Sequence, residues 1–330
     1  MKQAVYIFSS GTLARQDNTL CFDGEKGKRF LPVETTGEIH LFGEVNLNVR
    51  LLTFLTQQGI PLHVYNYYGY YSGSYMPREH YTSGYLTLQQ AQHYNDPERR
   101  LRLSAAFVRG ALANLIKVLM YYRRRGADVG EQLEALRRQA GEIDGQGTVE
   151  QLMAVEGHAR ETYYTAWDAI LGNDDFRFER RSRRPPLNRV NALISFGNSL
   201  MYVTCLSEIY RTHLDPRIGF LHSTTFRRYS LNLDVAEVFK PIIVDRTIFT
   251  LVNRGVLTAA SFREDTEGVI LTDRARDAFI RAYDERLKDT LLMPRLKRQV
   301  SYRRLIRLDL YKIEKHLLGE EAYTPYIARW

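Results

Sequence analysis

The chain has 330 residues, 44% hydrophobic and 25% charged, a composition that excludes a disordered chain and suits one large domain or two smaller ones. Lys and Arg number 46 against 38 acids, for a formal charge of +8. Cys21 and Cys205 stand far apart and outside any CxxC, which argues against a disulfide framework and against a structural zinc site.

Residues 1–83 read as β-rich. Residues 5–8 are a short apolar run, Ser10-Gly11 and Asp23-Gly24 are turn signals, and alternating segments follow at 28–33 and 38–42. Residues 46–57 break the alternation: Leu47, Leu51 and Phe54, with Val49, Leu52 and Leu55, recur at helical spacing. Residues 62–65 return to strand. The stretch from Tyr65 to Tyr75, with Gly69 and Gly73, predicts a hairpin used for packing or self-association.

From Gly84 onward the segments are long and helix-periodic, with few strand signals. Asp96-Pro97-Glu98 is a helix start, an acid at the N-cap and Pro at the first helical position. That pattern runs to a stop at 123–126. Further helices are predicted within 130–139, 148–170, 188–212, 230–254, 272–291 and 301–317, whereas 173–186 is basic and irregular. The expected fold is α+β: a small N-terminal β-sandwich-like domain, 1–83, then a larger all-α catalytic domain, 84–330.

Arginine clusters recur at 99–102, 123–125, 177–184 and 295–307, most beside Tyr or Phe. Basic patches interleaved with aromatics suit a polyanion with stackable bases. The N-terminus lacks the apolar core of a signal peptide, and no run approaches the roughly 18 uninterrupted apolar residues of a membrane span. A cytoplasmic location with no membrane partner is expected.

Three polar residues stand out by their surroundings. Glu156 follows Met153-Ala154-Val155 on a helical stretch, and a carboxylate in apolar surroundings must be paired, protonated or coordinated. His158 points elsewhere on the helix. His222 ends the apolar run Ile218-Gly219-Phe220-Leu221 and opens a hydroxyl-rich, basic loop containing Arg227 and Arg228. Ser230 is placed to cap the next helix, on which Asp234 and Glu237 share a face at i and i+3. Two carboxylates so placed repel unless a cation lies between them. With Glu156 and His222 converging, the set is oxygen-rich with one imidazole, which suits Mg²⁺ or Mn²⁺. Arg227 and Arg228 add charge to a phosphate clamp.

The order of these segments resembles the CRISPR-associated protein one family, the integrase and endonuclease of spacer acquisition. The likeness rests on Met153-x-x-Glu156-Gly157 followed by Tyr163-Tyr164, on Arg184-Pro185-Pro186-Leu187-Asn188-Arg189-Val190-Asn191, and on Gly219-Phe220-Leu221-His222 through Asp234-x-x-Glu237-x-Phe239-Lys240-Pro241 to Asp245-Arg246. It extends over nearly all of the chain. The resemblance implies metal ligation by Glu156, His222 and Glu237, with Asp234 as the additional acid of the catalytic group. Arg184, Asn191, Arg227 and Arg228 are the DNA-binding candidates. Many relatives carry Asp where Asn188 stands, and a second acid where Val238 stands. The loop after His222 lacks the family's Pro and Gly, which leaves its DNA contacts open.

The resemblance further implies a homodimer through the β-domain. Two such dimers would assemble with a small dimer of CRISPR-associated protein two. The complex would join the 3′-hydroxyl ends of a captured DNA fragment to the repeat array by transesterification, acting on double-stranded and branched DNA. The same site would nick DNA in isolation. The rival readings are a DNA-binding scaffold without catalysis, an RNA-processing nuclease and a structural helical protein. They differ in whether Glu156, His222 and Glu237 act as one unit.

Overall fold

Alternating apolar residues in the N-terminal segment close two four-stranded sheets over a shared core in the computed structural model. Its description covers residues 2–78, 81, 83–183, 185–224, 229–265, 268–293 and 297–329. The strands are β1 (Gln3–Ile7), β2 (Gly11–Gln16), β3 (Thr19–Gly24), β4 (Gly27–Leu31), β5 (Thr36–Leu41), β6 (Val45–Asn46), β7 (Leu62–Tyr65) and β8 (Tyr71–Tyr75). One sheet has the order β1-β5-β7-β8 and the other β4-β3-β2-β6. Leu13 and Leu20 from one sheet meet Ile39, Leu41 and Leu62 from the other. Each such side chain withdrawn from water contributes about 1.5–3 kcal/mol before its entropy cost.

The helical spacing at 46–57 has a topological reason. β1, β5 and β7 run parallel, and parallel neighbours need a crossover. Helix α1 (Val49–Gln58) supplies it between β5 and β7, started by Asn48, whose side chain accepts from Leu51 N at 2.9 Å. The expected hairpin forms between β7 and β8. Its turn is organised by Asn66 Oδ1, which accepts from Tyr68 N and Tyr70 N.

The chain divides into two compact units, Met1–His80 and Tyr81–Trp330. The second contains α2 (Gly84–Asn95), α3 (Pro97–Arg123), α4 (Gly130–Glu142), α5 (Val149–Thr165), α6 (Trp167–Leu171), α7 (Arg189–Ile209), α8 (Leu231–Lys240), α9 (Arg246–Asn253), α10 (Asp273–Lys288) and α11 (Tyr302–Leu317). Helix α3 is its spine, packed against α4, α5 and α8. Asp96 caps it as expected, accepting from Glu98 N and Arg99 N, both at 3.0 Å. Buried Asn114 on α3 donates to Val238 O at 2.8 Å and to Tyr326 O at 2.9 Å. That one amide ties α8 and the C-terminal tail to the spine.

An all-α second unit was the expectation, and it is corrected in one respect. Two short antiparallel ribbons interrupt the helices: β9 (Phe262–Asp265) with β10 (Gly268–Leu271), and β11 (Thr290–Met293) with β12 (Arg298–Ser301). Strands of four residues carry too little alternation to stand out beside long helical periods. Helices α3 and α7 have the length and apolar content of a membrane span, yet 67% and 78% of their apolar windows are buried inside this unit. The stretch from Ser230 to Arg254 is not one regular helix. A π-helical turn at Pro241–Asp245 separates α8 from α9. Pro241 has no N–H for the ladder, which loosens the helix there.

Candidate functional site

Helix α8 and the loop before it form one hydrogen-bonded body. Asp234 is fully buried. Its Oδ2 accepts from Phe220 N at 2.6 Å and Leu221 N at 3.1 Å, and its Oδ1 from His222 N at 2.9 Å. The His222 ring completes the set, donating Nδ1–H to Asp234 Oδ1 at 2.8 Å. One carboxylate therefore fixes three consecutive backbone groups and the tautomer of the imidazole, leaving Nε2 for a ligand. Asp234 is a positioning residue for His222.

Ser230 stands at the start of α8, but its hydroxyl does not cap the helix. It accepts from Gly219 N at 2.8 Å and donates to Arg217 O at 2.8 Å. Gly219 is required by close approach: a Cβ there would lie 2.7 Å from the Ser230 carbonyl carbon. From α2, buried Gln90 donates to Asp215 O and Ile218 O and accepts from Asp215 N. Arg100 Nε donates to Phe220 O at 2.9 Å. Sequence reasoning missed Gln90 and Arg100, because nothing local links them to a loop more than a hundred residues away.

Glu156 on α5 and Glu237 on α8 meet through a third residue. Arg160, one turn beyond Glu156, reaches Glu156 Oε1 at 3.4 Å and Glu237 Oε2 at 2.5 Å. Lys240 Nζ binds the other Glu237 oxygen and donates to the Tyr202 hydroxyl at 2.7 Å. Glu237 is 8% exposed, Glu156 19% and His222 23%, so the last two keep a path to solvent. Of the apolar residues preceding Glu156, Val155 is buried but Met153 and Ala154 are exposed. The surface beside the carboxylate is open, and a Cβ on Gly157 would touch nothing.

The electrostatics follow from this wiring. Burial opposes the Glu237 charge, but Lys240 and Arg160 outweigh it and hold its pKa down to about 2. Glu156 moves the other way, raised by burial and by the neighbouring Glu237 charge. Burial opposes a proton on His222, yet the bond to Asp234 and the charges of Asp234 and Glu237 raise its pKa. Asp245, the last residue of the π turn, is pushed up to about 7 by burial, against the pull of Arg160.

Two carboxylates and an imidazole with a fixed tautomer fit a hard divalent cation by donor type. His222 and Glu237 shift each other's proton affinity and both act on Glu156, but among the described residues only Glu38, His40 and His63 bring three ligand atoms within 4.8 Å of one another. Arg160 currently spans the two carboxylates, and its buried Nη1 has no hydrogen-bond partner.

The DNA-binding candidates fare unevenly. Arg184, Arg227 and Arg228 lie outside the described residues. Asn191 is fully buried, accepting from Arg181 Nη1 at 2.9 Å and donating to Arg180 O at 2.8 Å. It holds the basic segment 180–182 in place, a correction to its reading as a DNA contact. Asn188 caps α7, accepting from Asn191 N at 2.8 Å, work that Asp would do equally. Part of the 295–307 cluster is also internal, since Arg303 and Arg307 both pair with fully buried Glu208. Both cysteines are free and buried.

A second constellation, unforeseen from the sequence, lies in the β unit. Glu38, His40 and His63 are all buried, with ligand atoms within 4.8 Å of one another, a group able to hold a metal ion. The signal was Glu-x-His on a strand whose six residues are all buried, which covers both its faces.

The chain matches the family described as "CRISPR associated protein Cas1" over residues 5–285. It belongs to the Cas1 family. A "CRISPR-associated endonuclease Cas1 2" of Thermodesulfovibrio yellowstonii is 52% identical over all 330 residues, covering 100% of both chains. A solved Cas1 protein from Thermotoga maritima superposes with a TM-score of 0.90 at 44% identity, over 98% of this chain and 100% of that one. A "Casposase bound to integration product" shares the fold, with a TM-score of 0.87 at 17% identity, over 100% of this chain and 96% of that one. Cas1 membership implies an enzyme of the nuclease and integrase kind that serves spacer acquisition, with metal-associated activity.

Proposed function

We propose that the chain is a metal-dependent DNA endonuclease and integrase that inserts short foreign DNA fragments into a CRISPR array. Glu156, His222 and Glu237 would hold Mg²⁺ or Mn²⁺. When bound, such an ion stabilises the charge that builds on a phosphodiester and activates the attacking or departing oxygen. The observation that carries the reading is the Asp234 clamp. It spends a buried carboxylate on orienting one imidazole through Nδ1, which leaves Nε2 as the ring's remaining ligand atom.

The chain's own residues have defined tasks. Asp234 sets the His222 tautomer and backbone, and Gln90, Arg100 and Ser230 hold the loop that delivers it. Lys240 keeps Glu237 ionised and aimed. Arg160, which lies between the two carboxylates, would share them with a bound cation. The exposed Met153, one turn before Glu156, and the open space at Gly157 leave room for a DNA backbone. With a DNA 3′-hydroxyl as nucleophile the reaction is transesterification, and with water it is nicking. Arg184, Arg227 and Arg228 supply phosphate contacts, which position the duplex rather than read its sequence. The assembly we propose is a homodimer through the β unit, two of which join a small dimer of CRISPR-associated protein two in the cytoplasm.

The test is nicking and joining of a labelled branched DNA with Mg²⁺, Mn²⁺ or EDTA, comparing wild type with His222→Ala. Metal-dependent products lost in the variant support the reading. DNA binding without products in either metal, even with the small partner protein supplied, overturns it in favour of a scaffold.

A further inference from the structure

The β unit carries a polar cluster that the DNA chemistry does not use. His40 on β5 and His63 on β7 are register partners on adjacent parallel strands. Glu38, two residues before His40, shares their face. All three are at most 2% exposed. A carboxylate this deep demands positive charge beside it, and its near neighbours here are two imidazoles.

We infer that Glu38, His40 and His63 bind a transition dication of the Zn²⁺ class, separate from the hard cation of the helical unit. The outer contacts of the two rings carry the argument. His40 Nδ1 meets the Tyr65 hydroxyl at 2.9 Å, and His63 Nδ1 meets Ser74 Oγ at 2.6 Å, itself 2.7 Å from the Tyr71 hydroxyl. Each Nδ1 meets a hydroxyl that can accept or donate, and in the tautomer with both Nδ1–H groups donating outward, Nε2 of each ring is left for a metal, the arrangement that orients metal-bound histidines. His40 Nε2 already lies 3.0 Å from Glu38 Oε1. A tetrahedral zinc with bonds of about 2.0–2.2 Å holds its ligand atoms roughly 3.3–3.6 Å apart. Atoms now within 4.8 Å of one another reach that spacing by small side-chain rotations.

Two imidazoles and one carboxylate select zinc or its neighbours over Mg²⁺, which takes oxygen donors and keeps its water. The shortage of cysteines excludes only a thiolate-built site. The ion would tie β5 directly to β7 and close the crossover through α1, so its effect is on the stability of the β unit.

The experiment uses the full chain carrying His222→Ala, so that zinc at the helical site does not confuse the count. Zn²⁺ titration, metal content after dialysis and the visible spectrum of Co²⁺-loaded protein are read together, with thermal unfolding followed with and without Zn²⁺. The expected result is one tight Zn²⁺ per chain, a four-coordinate Co²⁺ spectrum and a higher Tm with metal. Adding His63→Gln, or separately His40→Asn, should weaken binding at least 100-fold and abolish the Tm increment. Absence of tight Zn²⁺ in the His222→Ala chain overturns the inference, leaving a cluster closed by a shared proton. So does binding that survives both histidine variants. Because the first of these outcomes needs no further variant, a misfolded His63→Gln protein does not shelter the idea.

Discussion

Two clusters of histidine and carboxylate occupy this chain, and they are built on opposite principles. In the β unit, Glu38, His40 and His63 come from two adjacent strands, are sealed from solvent, and bond to one another and to hydroxyls of the same sheet. In the helical unit, Glu156, His222 and Glu237 come from α5, a loop and α8. They stay partly open and are held by cations and by a clamp beneath. The first arrangement favours permanence. The second favours exchange: Glu237 is kept charged by Lys240 and Arg160, and its imidazole is oriented without being covered. A site that must admit a DNA backbone needs the second kind.

The sharpest way to break this contrast is to remove the proposed ligands. Glu156→Ala and His222→Ala should each lower strand cutting and joining by about 10³-fold or more, with little change in unfolding midpoint. If His63→Gln abolished activity while His222→Ala did not, the roles of the two clusters would have to be exchanged. Glu237→Ala should differ from both in stability. It strands Lys240 and Arg160 in the interior, and breaking a buried pair costs about 3–5 kcal/mol, readable by urea unfolding.

Asp234→Asn sharpens the distinction between holding a ligand and positioning one. Losing an oriented partner costs about 10–100-fold in metal affinity or activity, so its defect should be smaller than that of His222→Ala and should ease at high Mn²⁺. A loss equal to His222→Ala at every Mn²⁺ concentration would make Asp234 a ligand.

A buried ion cluster away from both sites gives a pH signature. Burial opposes the Glu208 charge, but Arg303, Arg211 and Arg307 outweigh it and lower its pKa. Its contribution is complete above the unfolded glutamate pKa of about 4.3 and fades as pH falls through the depressed folded value. The Tm advantage of wild type over Glu208→Gln should therefore shrink on acidification, and an advantage constant with pH would refute the assignment. The smallest expected effect is at the basic loop: Arg227→Ala or Arg228→Ala should each reduce the slope of log affinity against log salt by about 0.9 if one phosphate contact is lost. Unchanged slopes in both remove those contacts.

Much of this molecule was legible in its sequence, for reasons that are local. Helical period and caps placed α3 from Asp96, and alternation broken by the leucines of α1 marked the crossover. The segments around Glu156, His222 and Glu237 declared the family. The sequence also put Ser230 at the head of α8, yet what its hydroxyl binds is a loop, because Gly219 lets the backbone come that close. Tertiary structure alone decided the rest. It made Asp234 a clamp, Arg160 and Lys240 the partners of the acids, and Asn191 an internal strut. It also buried Glu38 and His40 beside His63. In each case the partner lies on another element, at a sequence distance that no period or cap encodes, and burial converts an ordinary polar residue into one whose every atom must be answered.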